Sequence, residues 1–114
     1  MRRELELTPA RLRSYSRSGN FHSDPETAAR LGYRGMVAQG MHVAGVAYGL
    51  FLDAWGDDFL AHGDLEVKFV GVVYDGQTVR VDCAPIDDDV AFDVIEGDRI
   101  VVAGRARRPP LPLE

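Results

Sequence analysis

A chain of 114 residues, 46% hydrophobic and 27% charged, has the composition of one soluble globular domain and is too short for two. Eighteen acidic against thirteen basic side chains leave a net charge of −5, which argues against a nucleic-acid partner and the basic face it would need. The single cysteine, Cys83, excludes an internal disulfide framework and a thiolate metal cluster, and neither a metal nor an organic cofactor is expected.

No apolar signal core follows Met1-Arg2-Arg3-Glu4, so a cytoplasmic location is expected. Arg3 to Leu7 alternates Glu4 and Glu6 with Leu5 and Leu7, an edge-strand pattern. Thr8-Pro9 is an N-cap with proline at the first helical position, opening a short helix to about Tyr15. Turn residues from Ser16 to Phe21 make a loop. Asp24-Pro25 starts a second short helix, which Gly32 stops. His22 thus sits in the loop just ahead of a helix N-terminus.

The central stretch runs from Gly35 to Trp55. Between Met41 and Leu52 the one side chain that ionises near neutral pH is His42. Length and uniform apolarity predict a helix buried on nearly every side. The run is too short to cross a bilayer, which takes about 20 apolar residues. Gly45 and Gly49 each cost a helix about 1 kcal/mol relative to alanine, so the expectation is that other backbone approaches closely there. Gly40 precedes the helix, where unpaired amide N–H groups carry partial positive charge and suit a negatively charged oxygen.

After Trp55-Gly56-Asp57-Asp58 the period changes to two. A long strand is expected through Leu65, Val67, Phe69 and Val72, then a hairpin-type turn at Tyr74-Asp75-Gly76-Gln77. Strands at 78–84, 90–95 and 99–107 follow, with Asp87-Asp88-Asp89 a solvated turn and the Pro109-Pro110 tail ending the sheet. Helix and sheet are segregated along the chain, the α+β pattern: a four-stranded antiparallel meander curved around one long buried helix.

Among single residues, His22 suits proton transfer, since an imidazole ordinarily titrates near pH 6.5. Asp24 is chiefly an N-cap. His42 reads as a core or interface histidine and His62 as a surface residue at the start of a strand. Tyr48 either lines a tunnel or fills the core. Arg30 and Arg34 are solvated, or meet an anionic group of a ligand. Ser18 and Asn20 are candidates for orienting water.

The run Ser18-Gly19-Asn20-Phe21-His22-Ser23-Asp24-Pro25-Glu26-Thr27-Ala28-Ala29, then Gly32, then Gly35-Met36-Val37-Ala38-Gln39-Gly40-Met41, resembles the MaoC-like hydratase/dehydratase branch of the hotdog fold. The strand with Val67, Phe69 and Val70, followed by Asp75-Gly76, is similar to the family's next landmark, and the likeness spans residues 8–107. It implies a single hotdog domain over residues 1–114, forming a homodimer that acts on acyl thioesters of coenzyme A or an acyl carrier protein. No nucleic-acid or membrane partner is expected. The resemblance places the catalytic imidazole on His22 and the oxyanion-binding N–H on Gly40, with Ser18, Asn20, Gln39, Met41 and Tyr48 against the substrate. Two positions depart from the family pattern. Only Asn20 and Phe21 separate Gly19 from His22, so the family's loop Asp has no counterpart, and Gln39 stands where the family has His. The implied activity is enoyl-thioester hydration or 3-hydroxyacyl-thioester dehydration. The alternatives are a thioesterase, with or without addition of a nucleophile to an unsaturated acyl group, and a non-catalytic thioester-binding dimer.

Overall fold

A computed structural model describes residues 3–107. Its elements run β1 (Arg3–Glu6), α1 (Pro9–Tyr15), α2 (Pro25–Arg30), α3 (Gly40–Trp55), α4 (Asp57–His62), β2 (Asp64–Phe69), β3 (Thr78–Ile86), β4 (Asp89–Glu96) and β5 (Arg99–Arg107). Both predicted caps form. The Thr8 side chain accepts from Arg11 N and the Asp24 side chain from Glu26 N, each with proline at the start of its helix. Gly32, at φ 90°, takes the left-handed conformation that ends α2 without a Cβ penalty. The expected tail at Pro109-Pro110 lies outside the described residues.

All strand pairs are antiparallel, in the order β1-β3-β4-β5-β2. The expected meander is therefore corrected at one step. β2 does not pair with β3; it lies at the far edge against β5, from Asp64↔Arg107 to Phe69↔Val102. The Tyr74-Asp75-Gly76-Gln77 turn exists, but it ends a crossover strap and makes no hairpin with β2. The strand also stops at Phe69 and does not reach Val72. β3–β4 and β4–β5 are true hairpins, turning at Asp87-Asp88 and Gly97-Asp98. The first residue of each pair has positive φ, 53° at Asp87 and 63° at Gly97, as primed two-residue turns require. Asp89 is not simply solvated: its carboxylate meets Arg105 at 2.7 Å and Arg107 at 3.5 Å. Arg107 in turn reaches Asp64 and Glu66 at 3.0 Å, tying edge strand β2 to its neighbours.

The sheet curls around α3, whose Val43, Ala44, Val46, Ala47, Leu50 and Phe51 are buried. Phe51 is fully buried, 5.2 Å from Trp55, 5.9 Å from Phe59 and 5.5 Å from Phe92, ring centre to ring centre. Burying such a side chain contributes about 1.5–3 kcal/mol. Phe59 comes from α4, an element the sequence reading omitted. Gly56, at φ 60°, breaks the axis between α3 and α4, and Asp57 and Asp58 then complement the new N-terminus. His62 consequently ends a helix; it is exposed, as expected, but does not begin a strand.

α3 is not covered on every side. Met41, Gly45 and Tyr48 form an exposed stripe at helical spacing, with Met41 58% accessible. The expectation about the two helix glycines is corrected here. A Cβ on Gly45 would have nothing within 4 Å, and the nearest atoms to one on Gly49 would be those of the Arg3 guanidinium, from 2.8 Å, a side chain rather than backbone. Arg3 crosses Gly49 to pair with Asp53 at 2.7 Å.

Candidate active site

Three segments converge at the N-terminus of α3. The first is the loop after α1, shaped by Asn20. The Asn20 side-chain oxygen accepts the His22 N–H at 2.9 Å, and its carbonyl accepts Ser23 N and Asp24 N at 3.1 and 2.8 Å. This Asx-type turn lifts His22 out of the chain direction. Phe21 packs against the imidazole, 3.9 Å between ring centres, and stacks on Tyr33. The second segment is the extended stretch before α3: Val37 N donates to Phe21 O at 3.1 Å, and His22 Nδ1 lies 2.7 Å from Val37 O. A carbonyl can only accept, so Nδ1 carries the proton and Nε2 keeps the lone pair. His22 is therefore set in the tautomer that can take a proton at Nε2.

The third segment is the strap from Phe69 to Tyr74. Val70 N and Gly71 N both donate to Val101 O, at 2.9 and 3.1 Å, and Arg99 donates to Val72 O at 2.8 Å. Val73 O accepts Ala38 N at 2.8 Å, and Tyr74 bridges to Val37. The crossover that carries the chain from one sheet edge toward the other thereby passes the helix N-terminus.

These segments enclose a cavity of about 450 Å³. His22, Gln39, Gly40, Met41 and Phe69 line it with apolar residues of the strap and of β5. Beside this cavity the N-terminus of α3 is open, at the exposed residues Gly40 and Met41. Val43 N and His42 N are satisfied by Gln39 O at 3.1 and 3.0 Å, whereas the N–H groups of Gly40 and Met41 have no acceptor among the described residues. The N-cap residue Gln39 gives no side-chain cap; its Nε2 turns away to Ser16 Oγ at 2.9 Å. Gly40 also allows the Phe69 ring to lie on it, since a Cβ there would fall 2.8 Å from the ring. Two unpaired amides at a positive helix end, facing a largely apolar cavity with one imidazole, form a place to stabilise an oxyanion beside a proton carrier.

Of the site residues expected from sequence, His22, Gln39, Gly40 and Met41 share this cavity. Asn20 does not line it, its side chain being spent on the loop turn, and Ser18 is exposed on the same loop. Tyr48 lines a second cavity of about 490 Å³ on the other side of Met41, together with Tyr15, His42 and Gly45. His42 stacks on Tyr15 at 4.3 Å and its buried Nδ1 has no partner among the described residues; burial, with nearby Arg11, pushes its pKa below the ordinary value. Asp24 is engaged as a cap: the Thr27 hydroxyl at 2.6 Å and the Glu26 amide hold its carboxyl below the usual carboxylate range. Arg34 lies over the Tyr74 ring at 4.2 Å and Arg30 bonds Thr27. Phe69 and the strap are what sequence reading missed. Their signal was the loss of alternation after Phe69, where Val70-Gly71-Val72-Val73 fits neither strand face.

The family model for MaoC-like domains matches residues 1–103. The chain belongs to the MaoC-like domain family. Solved structures agree on the hotdog fold of this MaoC-like chain. The (R)-hydratase from A. caviae involved in PHA biosynthesis superposes with a TM-score of 0.75 at 18% identity, covering 96% of this chain and 93% of that one. The peroxisomal multifunctional enzyme type 2 from Drosophila melanogaster gives 0.80 at 22% identity over 96% of this chain, which corresponds to 22% of that larger protein. The HadBC (3R-hydroxyacyl-ACP dehydratase) complex from Mycobacterium tuberculosis gives 0.63 at 22% identity, covering 90% and 87%. No curated protein sequence matches the chain. No helix among the described residues is long and apolar enough to cross a membrane.

Proposed function

We propose that this MaoC-like chain is an enoyl-thioester hydratase or, in reverse, a 3-hydroxyacyl-thioester dehydratase, acting on thioesters of coenzyme A or an acyl carrier protein. The observation that carries the reading is the joint position of His22, its Nδ1 held by Val37 O, and the uncapped amide end of α3 on one cavity. A thioester carbonyl oxygen at Gly40 N–H, with Met41 N–H beside it, gains charge as an enolate forms. Donors of this kind are each worth about 3–4 kcal/mol of barrier. His22 takes a proton from water as its oxygen bonds Cβ, and returns it to Cα. The similar structures from A. caviae and M. tuberculosis, a hydratase and a dehydratase, support this class of reaction.

The working unit in this reading is a cytoplasmic homodimer of single-domain chains. The exposed stripe Met41–Gly45–Tyr48 leaves a face of the central helix open, and Gly45 has room for an approaching copy. Gln39 and Met41 line the substrate cavity, Tyr48 lines the second cavity beyond Met41, and Ser18 and Asn20 belong to the loop that carries His22.

One feature favours a second reading, a hotdog thioesterase: no carboxylate lines the cavity among the described residues. Crotonyl-CoA distinguishes the two. Loss of the conjugated enoyl absorbance without free thiol supports hydration; thiol release supports hydrolysis. His22→Ala is expected to abolish turnover while the protein stays folded. Unchanged turnover in that variant would remove His22 from the chemistry.

A further inference from the structure

We infer that Gln39 positions the water that adds to the unsaturated thioester, filling by a carboxamide the place where the His22 loop lacks a carboxylate. This rests on the hydratase reading above. An N-cap side chain normally satisfies the first amides of its helix. Gln39 does not; Ser16, at the C-terminal cap of α1, holds its Nε2 at 2.9 Å. That bond leaves Gln39 Oε1 with no partner among the described residues, on a half-buried side chain that lines the cavity with His22. His22 spends Nδ1–H on Val37 O, so its one free acceptor is Nε2.

A water entering this cavity meets two side-chain acceptors and has two O–H bonds to give. One goes to His22 Nε2 and the other to Gln39 Oε1, which fixes the lone pair that attacks. The water oxygen then bonds Cβ, its proton passes to Nε2, and the C=C electron pair moves toward the thioester oxygen held at Gly40 N–H. The imidazolium gives the same proton to Cα, so the sum is one water added. A carboxamide neither takes nor gives a proton at neutral pH, so Gln39 orients while His22 carries out both transfers.

The test compares wild type, Gln39→Leu, Gln39→Glu and Ser16→Ala on crotonyl-CoA, with kcat, KM, pH profile and melting temperature for each. Misplacing a reacting group by about 1 Å costs on the order of 10²-fold, and Gln39→Leu is expected to lose that much kcat with KM little changed. Gln39→Glu keeps the acceptor and sets a carboxylate near His22, so it retains turnover and moves the acid limb of kcat/KM upward by about one pH unit. Ser16→Ala, which frees the carboxamide, shows a smaller loss. Wild-type kcat in Gln39→Leu would overturn the assignment and leave the hydratase reading intact. So would losses in Gln39→Leu and Ser16→Ala that follow melting temperature, with an unmoved pH profile in Gln39→Glu. A wild-type protein inert toward enoyl thioesters would end both.

Discussion

Gly40→Ala separates a glycine kept for chemistry from one kept for a turn. The new Cβ would stand 2.8, 3.0 and 3.1 Å from three atoms of the Phe69 ring, the nearest about 0.6 Å inside the 3.4 Å where ordinary contact begins. The ring has to move. It is half exposed at the end of edge strand β2, so it can swing at little cost to the fold. Against that cost stands the helical preference of alanine over glycine, at most about 1 kcal/mol and less in a first turn. The two nearly offset, and the melting temperature should shift by no more than about 4–8 °C in either direction. Activity should not be offset. Phe69 lines the cavity at the amide end of α3, and a displacement approaching 1 Å there is expected to cost about 10²-fold in kcat/KM. The assay is loss of enoyl-thioester absorbance alongside thermal unfolding, with Phe69→Leu added in the Gly40→Ala background. The double variant should recover most of the activity, because the smaller side chain clears the new methyl. Full activity in Gly40→Ala alone would show that the glycine serves only the backbone. Failure of Phe69→Leu to rescue would show that the ring is not what the glycine accommodates.

Gly45→Leu places a side chain where the chain itself offers nothing within 4 Å, so it should fold at least as well as wild type yet run as a monomer in light scattering where the wild type forms the proposed dimer; a dimer unchanged by the substitution would take the Met41–Gly45–Tyr48 stripe out of that proposal. Burial lowers the His42 pKa, so the unfolded chain binds this proton more readily. Stability should therefore fall as pH drops through about 6.5 toward the folded value and level off above it, and His42→Phe should flatten that slope in pH-dependent melting. The Asp24 carboxyl is shifted down by Thr27 and the Glu26 amide, so its capping contribution is present at neutral pH and lost as pH falls below the ordinary carboxylate range. Asp24→Asn should keep the cap and remove that acid-side loss; equal acid sensitivity in wild type and Asp24→Asn would assign it to other groups.

Much of the fold could be read locally because its signals are local. Thr8-Pro9 and Asp24-Pro25 cap helices by contacts within three residues, and the turns at Asp87-Asp88 and Gly97-Asp98 are fixed by their own backbone needs. The position of β2 was not legible for the opposite reason. Leu65, Val67 and Phe69 alternate whether β3 or β5 is the neighbour, and an Asp-Gly turn after a strand reads as a hairpin. What decides is the strap, whose Val70 and Gly71 amides go to Val101, a residue some thirty positions away in sequence. α4 escaped because Gly56 reads as a stop, and six residues carry too little period to announce a restart.

The site divides in the same way. His22 and Gly40 could be singled out, one by its chemistry and one by its place before an apolar run, but the role of each neighbour depends on where a hydrogen bond goes. Asn20, a polar group next to the histidine, looks suited to hold water; its oxygen is instead committed to the His22 amide, because so short a loop needs an Asx turn to present the ring. Gln39 looks like a worn replacement for a histidine. With Ser16 taking its nitrogen, its oxygen is left without a partner among the described residues, on the cavity that His22 also lines. In the hydratase reading, Gln39 supplies an acceptor to a cavity that no carboxylate lines among the described residues, and it leaves the amide end of α3 open. A residue that caps the helix with its own side chain, such as serine or aspartate at position 39, would close that end and undo both.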